Sequence, residues 1–551
     1  MVSLTTSSRR PLGYWSGPNV PQERTPAEIA AALVETHRPL YLLQMAGDLA
    51  LAKDGRVNLG EQSSSDGIPI VAIVPPCRPS ALGDRSFASD HGLRFCYVAG
   101  AMANGIASAK LVEAMGRAGM LGFFGAAGLA PDVVDDAIER ISTRLVGRPW
   151  GFNLIHSPYE PHLEQAIVDL YIRRGVRLVS ASAYLGLTLP LLRYRTHGIR
   201  VDSDGTIVTP NRVIAKVSRI EVATKFFAPP PAQMLQELVA AGDLTHAQAK
   251  LASLIPVAQD MTAEADSAGH TDNRPALTLL PTMLSLRDRM QAQHRFAMPL
   301  RVGVAGGIST PYSAAAAFAM GAAFVLTGSM NQACREAGTS DEVRQMLAQT
   351  QQADVTMAPA ADMFEMGVKV QVLKRGTMFA MRAGRLYDLY RSHDSLDSIS
   401  ATQQATLEKT VFRASLAEIW AETQRFWSQR DPAQIELAER DSKHKMALVF
   451  RWYLGRSSHW ANTGQADRRV DYQVWCGPAM GAFNEWARGS VLERWSERNV
   501  VTVAHNILHG AAVLTRLASL RSQGVGLPGK SLESHIDLAP RLSAELEEYM
   551  Q

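Results

Sequence analysis

The segment DMTAEADSAGHTDNRP, residues 260–275, gathers Asp260, Glu264, Asp266, His270 and Asp272 within thirteen positions, with Gly269 directly before the histidine. Three chemistries suit that composition. Carboxylates converging on one point would bind a hard divalent cation. A solvated acidic loop would do nothing further. A single imidazole on a glycine hinge, titrating near neutrality, would suit proton transfer. No second histidine lies nearby, and the Ser267-Ala268-Gly269 step suits close approach to a flat ring, so no metal centre is expected.

Two glycine loops follow, VAGGIST and LTGSMNQA. Gly306, Gly307, Gly328 and Ser329 would let backbone N–H groups approach phosphate oxygens, with a helix N-terminus favouring the anion. The plainer reading is that such glycines only end strands and start turns; both loops together favour a phosphorylated cofactor or substrate. Earlier, in YVAGAMANGIAS, the small Gly100 and Ala101 lead into Met102 and leave room for a flat ring, although a methionine there equally serves a core. Asn153 ends another apolar run, as a ligand contact or a turn residue. Lys216 sits between Ala215 and Val217. A lysine inside an apolar strand must either snorkel or meet an anion.

The elements that position these residues are legible as an alternation. Short apolar runs at 95–101, 119–124, 150–155, 176–182, 212–217, near 257–265, 301–305 and 322–328 are separated by helical patterns. Examples are PDVVDDAIERISTRL and PHLEQAIVDLYIRRG, each opening on a proline suited to a first turn. Eight such units over roughly 255 residues match an α/β fold of the (β/α)8 TIM-barrel type, with its site at the carboxyl ends of the strands. An open doubly wound sheet is the alternative, and no early G-x-G-x-x-G motif supports it. The expected organisation is a small N-terminal cap (1–92), a barrel (93–350) with a helical insertion at 226–256 placed as a lid over the strand ends, and a helical C-terminal domain (351–551).

Bulk properties exclude some classes. The 56 basic and 53 acidic residues leave a formal charge of +3, which gives no case for nucleic-acid or membrane-surface binding. No run of roughly eighteen apolar residues is present, and MVSLTTSSRR lacks an apolar signal core, so a cytoplasmic protein is expected. Cys77, Cys96, Cys334 and Cys476 lie far apart, against a disulfide framework or zinc ribbon.

AGAM, FNLI with Asn153, ADSAGH, AGGI and TGS, in that order, resemble the FMN-binding barrels of the nitronate monooxygenase and bacterial enoyl reductase group. The longer stretches GAMANGIAS, GFFGAAGL, NLIHSPYEPHLEQAIVDLY, VSASAY, EADSAGHTDNRP, ADMFEMGVKVQVLKRGTMFAMRA and VFRWYLGRSSHWA are similar to the trans-acting enoyl reductases (PfaD type) of polyunsaturated fatty acid and trans-acyltransferase polyketide synthases. That resemblance implies Gly100, Ala101, Met102 and Asn153 along an isoalloxazine, Lys216 at its polar edge, Ala268 and Gly269 against the ring or ribityl chain, and Gly306, Gly307, Thr327, Gly328 and Ser329 at the phosphate. One departure stands out: Asp266-Ser267-Ala268 replaces the group's Glu-Ala-Gly, so an alanine stands where a glycine is usual.

The implied activity is NADPH-driven, FMN-dependent reduction of an enoyl thioester on an acyl carrier protein. His270 is the proton donor or oxyanion partner, with Lys216 or Tyr184 next in line. A nitronate monooxygenase-type flavin oxidase and a non-catalytic megasynthase component are the alternatives. An acidic carrier protein would dock on basic residues, for which Lys369, Lys374, Arg375, Arg382, Arg385, Arg451 and Arg456 are candidates. The resemblance leaves a homodimer open.

Overall fold

The computed structural model describes residues 10–17, 25–45, 49–60, 67–156 and 160–525. The first nine residues, Ser157 to Tyr159 of the NLIHSPYEPHLEQ motif, and 526–551 of the expected C-terminal domain lie outside the described residues. The eight apolar runs form eight parallel strands: β1 (Tyr97–Ala99), β2 (Leu121–Phe124), β3 (Gly151–Ile155), β4 (Leu178–Ser182), β5 (Arg212–Val217), β6 (Asp260–Glu264), β7 (Arg301–Ala305) and β8 (Val325–Thr327). They close in sequence order, β8 pairing with β1 through Thr327 and Ala99. Strands covered on both faces read as continuous apolar runs, and β2 and β4 are buried throughout. The intervening helices turn one stripe inward: Val134, Ile138 and Ile141 of Pro131–Arg144, and Ile167 and Leu170 of Pro161–Arg174.

The amino-terminal end of the barrel is plugged by the helix Arg85–His91. Its Phe87 stacks on Phe324 with ring centroids 4.2 Å apart, and His91 Nε2 lies 2.8 Å from Asp260 Oδ2. Arg301 Nε donates to Asp260 Oδ1 at 2.6 Å, and Arg301 reaches Asp90 at 2.8 Å. Asp260 therefore closes the floor, four residues along β6 from Glu264. The acids of the opening segment do not converge on one point.

The expected lid is corrected by its position. Residues 226–256 do contain two helices, Ala232–Ala240 and His246–Ala252, the second opened by a capping box at Thr245. They follow the helix Ile220–Phe227, and the connection from a helix back to the next strand runs at the end opposite the mouth. Arg193 Nε donates to Asp243 Oδ1 at 2.7 Å and Arg195 Nε to the Pro256 carbonyl at 3.4 Å, both arginines lying at the end of the helix Leu189–Thr196. The insertion packs on the amino-terminal side of the barrel.

The N-terminal cap is a five-stranded antiparallel sheet, ordered Leu49–Ala52, Leu40–Gln44, Ile68–Val74, Gly13–Ser16, Arg56–Leu59. Its apolar face meets the chain's last described helix, Val500–Ser522. Leu33, Leu40, Leu42 and Val74 share a core with Val513, Leu517 and Leu520. That helix is long and apolar enough to cross a membrane, yet it is largely buried between cap and barrel.

The region after 350 is not helical throughout. Val355–Pro359 and Lys369–Leu373 form antiparallel strands, and the second pairs with Gly269–His270. Helices follow, chiefly Phe379–Ser392, Leu416–Arg430 and Ser442–Thr463. The first and third of these send Arg382 and the Tyr453 hydroxyl to Asp471, a fully buried carboxylate that also receives Arg468 and Arg413.

Candidate functional site

Strand alternation explains Lys216. Val213, Ala215 and Val217 face the surrounding helices, whereas Ile214 turns into the lumen and Lys216 follows it one layer nearer the mouth. Lys216 Nζ bonds Glu264 Oε1 of the neighbouring strand, and Ser267 Oγ donates to the same oxygen at 3.0 Å. The lysine thus meets an anion instead of snorkelling, and Glu264 is fixed in the mouth.

The loop after β6 is held from three sides. Gly269 adopts φ +74°, which a side chain would resist. Gly269 and His270 pair with Gln371 and Val370. The Gln371 amide donates to Asp266 Oδ1 at 2.9 Å and to the Ser267 carbonyl at 2.8 Å, while Asn273 Nδ2 donates to Asp266 at 2.8 Å. Asp272 accepts from Ser218 Oγ at 2.5 Å and Arg219 at 2.9 Å; the Arg219 bond holds its pKa down to about 2. His270 Nε2 lies 3.1 Å from Asp362 Oδ1, with both side chains half-buried. Burial alone would lower the His270 pKa, but the Asp362 carboxylate outweighs it and the pKa is raised.

The glycine loops divide into two kinds. Some glycines answer to close packing. A Cβ on Gly100 would lie 2.5 Å from Leu326 Cδ2, one on Gly306 2.5 Å from the Ala265 carbonyl carbon, and one on Gly125 1.7 Å from the Met102 carbonyl oxygen. Gly269, Gly307 and Gly328 instead face open space, where a Cβ would meet nothing within 4 Å. Ser309, two residues after Gly307, and Thr262, two residues before Glu264 on β6, carry buried hydroxyls that have no hydrogen-bond partner among the described residues. Open backbone at 269, 307 and 328 fits a bound group with a phosphate at the Gly307 and Gly328 loops.

Other expected residues are less free. Thr327 Oγ1 donates to the Tyr97 hydroxyl at 2.9 Å and receives Asn331 Nδ2 at 3.0 Å, so its side chain is engaged inside the wall. Ser329 Oγ accepts the Gly477 N–H at 3.2 Å. Asn153, the central residue of β3 rather than its end, donates from Nδ2 to the Ser180 carbonyl and Ser182 Oγ, which fixes the buried amide. Ala101 and Met102 are half-buried after β1. Tyr184 is buried, its hydroxyl bonded to Glu164 at 2.9 Å; burial and that carboxylate push its pKa well up. Glu164 also receives Thr188 and faces His156 Nδ1 at 3.0 Å.

What overhangs the mouth is the C-terminal region. A Cβ on Gly477 would lie 3.0 Å from the Ala268 nitrogen, and Asn104 Nδ2 donates to Ser458 Oγ at 3.2 Å. Asp362, Gln371 and Gly477 escaped the sequence reading as site residues; the alternation in VKVQVL was the signal that could have marked a strand. The basic group expected to dock a partner also shrinks. Arg382 is paired with Asp471, Arg451 bonds Glu365 at 3.1 Å, and Arg456 lies over the Trp452 ring.

Comparison with known proteins agrees with this arrangement. Residues 90–383 match the family model for nitronate monooxygenase, and 393–472 match that for the inserted helical domain of [acyl-carrier-protein] S-malonyltransferase. The chain is 45% identical over 529 residues, 95% of its length, to one of the polyunsaturated fatty acid synthase polypeptides of a Thraustochytrium species. It is 45% identical over 435 residues, 79% of its length, to the polyketide biosynthesis protein PksE of Bacillus subtilis. It spans only 35% and 56% of those two relatives. Among solved structures, the enoyl reductase domain of MlnA, from the macrolactin biosynthesis cluster of Bacillus amyloliquefaciens, is 41% identical with a TM-score of 0.76, over 80% of this chain and 99% of that one.

Proposed function

The chain belongs to the nitronate monooxygenase family and, within it, to the PfaD-type enoyl reductases, and from that premise we propose that it reduces the α,β-double bond of enoyl thioesters carried by an acyl carrier protein, with FMN in the mouth and NADPH as reductant. The observation that carries the reading is the open cradle at Gly269, Gly307 and Gly328 facing the half-buried His270 at one barrel mouth. FMN, when bound, supplies the two-electron chemistry that links nicotinamide oxidation to alkene reduction.

The chain's own residues do the rest. Gly306, Gly307, Gly328 and Ser329 hold the phosphate through backbone donors, while Thr327 braces the wall behind them. Gly100, Ala101, Met102 and Asn153 line the ring, and Ala268 and Gly269 approach it from the opposite loop. Lys216, fixed by Glu264, presents positive charge to its polar edge. His270 delivers a proton to the α-carbon as the β-carbon is reduced. The C-terminal region excludes water from this mouth, and its relatives' place in fatty acid and polyketide synthases supports a carrier-bound substrate. Lys369, Lys374 and Arg385 remain as the surface that receives the acidic carrier, Arg375 being held by the Gln349 carbonyl and Asp354.

The test is to purify the protein, record its flavin spectrum, and supply NADPH anaerobically with crotonyl-carrier protein or with a nitroalkane. Oxidation of NADPH only with the enoyl substrate is the expected result. Turnover of the nitroalkane under oxygen, with none of the thioester, would replace this reading with nitronate oxidation.

A further inference from the structure

We propose that Asp362, contributed from beyond the barrel, is the positioning residue of this site: it orients the His270 ring and leaves Nδ1 as the nitrogen that moves the proton. The inference rests on the proton-transfer role proposed for His270, and it adds a residue that the barrel alone does not contain.

The geometry is specific. An ionised carboxylate only accepts, so the 3.1 Å contact between Asp362 Oδ1 and His270 Nε2 fixes the ring proton on Nε2. In the neutral ring Nδ1 is then an acceptor; in the charged ring it carries the transferable proton. Asp362 is itself well placed by its turn. The Ala360 N–H donates to the Val368 carbonyl at 2.9 Å and Gly367 N–H to the Phe364 carbonyl at 3.0 Å, closing the turn between the two strands. Phe364 is fully buried against Tyr387, Tyr390 and Phe450, and Glu365 is bonded to Arg451. The following strand carries Val370 and Gln371, which pair with His270 and Gly269. One segment thus supplies the carboxylate, the backbone template and the Gln371 clamp on the histidine's loop.

The charged groups around the pair are few. Lys216 and Glu264 face His270 from β5 and β6, one opposing and one favouring its charged form; Arg451 lies beside Asp362. Because Lys216 and Glu264 neutralise each other, Asp362 decides the balance. The direction agrees: His270 is raised, and Asp362 is lowered despite its burial.

Asp362→Asn keeps the side chain's shape and removes its charge. In the flavin-loaded protein with ring-labelled histidine, NMR titration is expected to show the His270 pKa at least one unit lower, a tenfold loss of proton affinity. The alkaline limb of the kcat profile should move down by the same amount, with flavin content unchanged. Asp362→Glu should restore much of both, and Asp362→Ser serves if the Asn variant does not fold. Wild-type His270 titration and an unmoved alkaline limb in Asp362→Asn would overturn the inference. His270→Ala separates the two claims: full turnover there removes the proton-transfer reading, while the His270 titration still judges the pair.

Discussion

The Gly477 N–H donates to Ser329 Oγ across 3.2 Å, and this bond joins the C-terminal region to the loop that would hold a phosphate. A methyl group at 477 would stand 3.0 Å from the Ala268 nitrogen and 3.2 Å from the Ser267 carbonyl carbon, so the two walls of the mouth must separate to admit it. Gly477→Ala is expected to weaken FMN binding by about tenfold, about 1.4 kcal/mol. Fluorescence titration of the apoprotein checks it; unchanged affinity would show that the walls give way freely.

Lys216 and Glu264 form a partly buried pair, and removing one member leaves the other charge uncompensated. Lys216→Met alone should cost about 1–3 kcal/mol in urea unfolding. Adding Glu264→Gln should recover part of that loss, giving a coupling of about 1 kcal/mol. Strict additivity of the two substitutions would rule out the pair as a unit.

At the floor, Arg301 is buried among Asp260, Asp90 and Phe87. Arg301→Met should destabilise the protein by about 3–5 kcal/mol, because among the described residues Asp260 would keep only His91 as a side-chain partner. Since the floor lies a barrel length from the mouth, FMN bound per folded molecule should not change. A variant of normal stability that has lost its flavin would contradict this separation.

Replacing residues 229–256 with a short linker tests where the insertion acts. Buried Leu235, Leu238 and Ile255 predict a loss of stability, seen as a lower Tm. Turnover at 20 °C, about ten degrees or more below any shifted Tm, should match the parent within about twofold, since a 1 kcal/mol effect on the barrier would already exceed fivefold. A large fall in kcat with flavin still bound would return the insertion to the mouth.

Acid sensitivity should centre on the helix Val500–Ser522. His505 packs edge-on to Phe95, and burial pushes both His505 and His509 down to about 4 from 6.5. These side chains fold uncharged, so the unfolded chain binds more protons in that range. Their stabilising effect is present above pH 6.5, falls as pH drops, and is lost below 4, by about 3 kcal/mol for each. The lowered carboxyls of Asp272 and Asp260 add losses only at lower pH, as the solution approaches and passes below the ordinary carboxyl range. In melts from pH 7.5 to 4, His505→Leu with His509→Leu should flatten the slope; an unchanged slope would assign it elsewhere.

The barrel was legible because each strand announces itself locally: eight buried runs, each followed by a connection of the right length. The glycines of both loops were legible for the same reason, although their two kinds, packed at 306 and open at 307 and 328, depend on neighbours far away in sequence. The insertion was recognised but placed at the wrong end. Its position after the helix Ile220–Phe227, rather than after β5, carries the answer. The strand Lys369–Leu373 was lost inside a helical expectation, although its five-residue partner Val355–Pro359 lies close by; its second neighbour, the two-residue Gly269–His270, lies about a hundred positions earlier and could not be read locally. Asp260 and Glu264 share a strand face, but four residues of β structure, about 13 Å, separate floor from mouth.

The sharing of one core by Leu33, Leu40 and Leu42 with Leu517 and Leu520 has a consequence during synthesis. The ribosome releases the cap's apolar strands first and the helix that covers them almost five hundred residues later. At about 5–20 residues per second, the uncovered sheet waits roughly half a minute or more for its partner. Through that interval its apolar face stays exposed, and truncation before residue 500 should leave the cap with a permanently uncovered, aggregation-prone face.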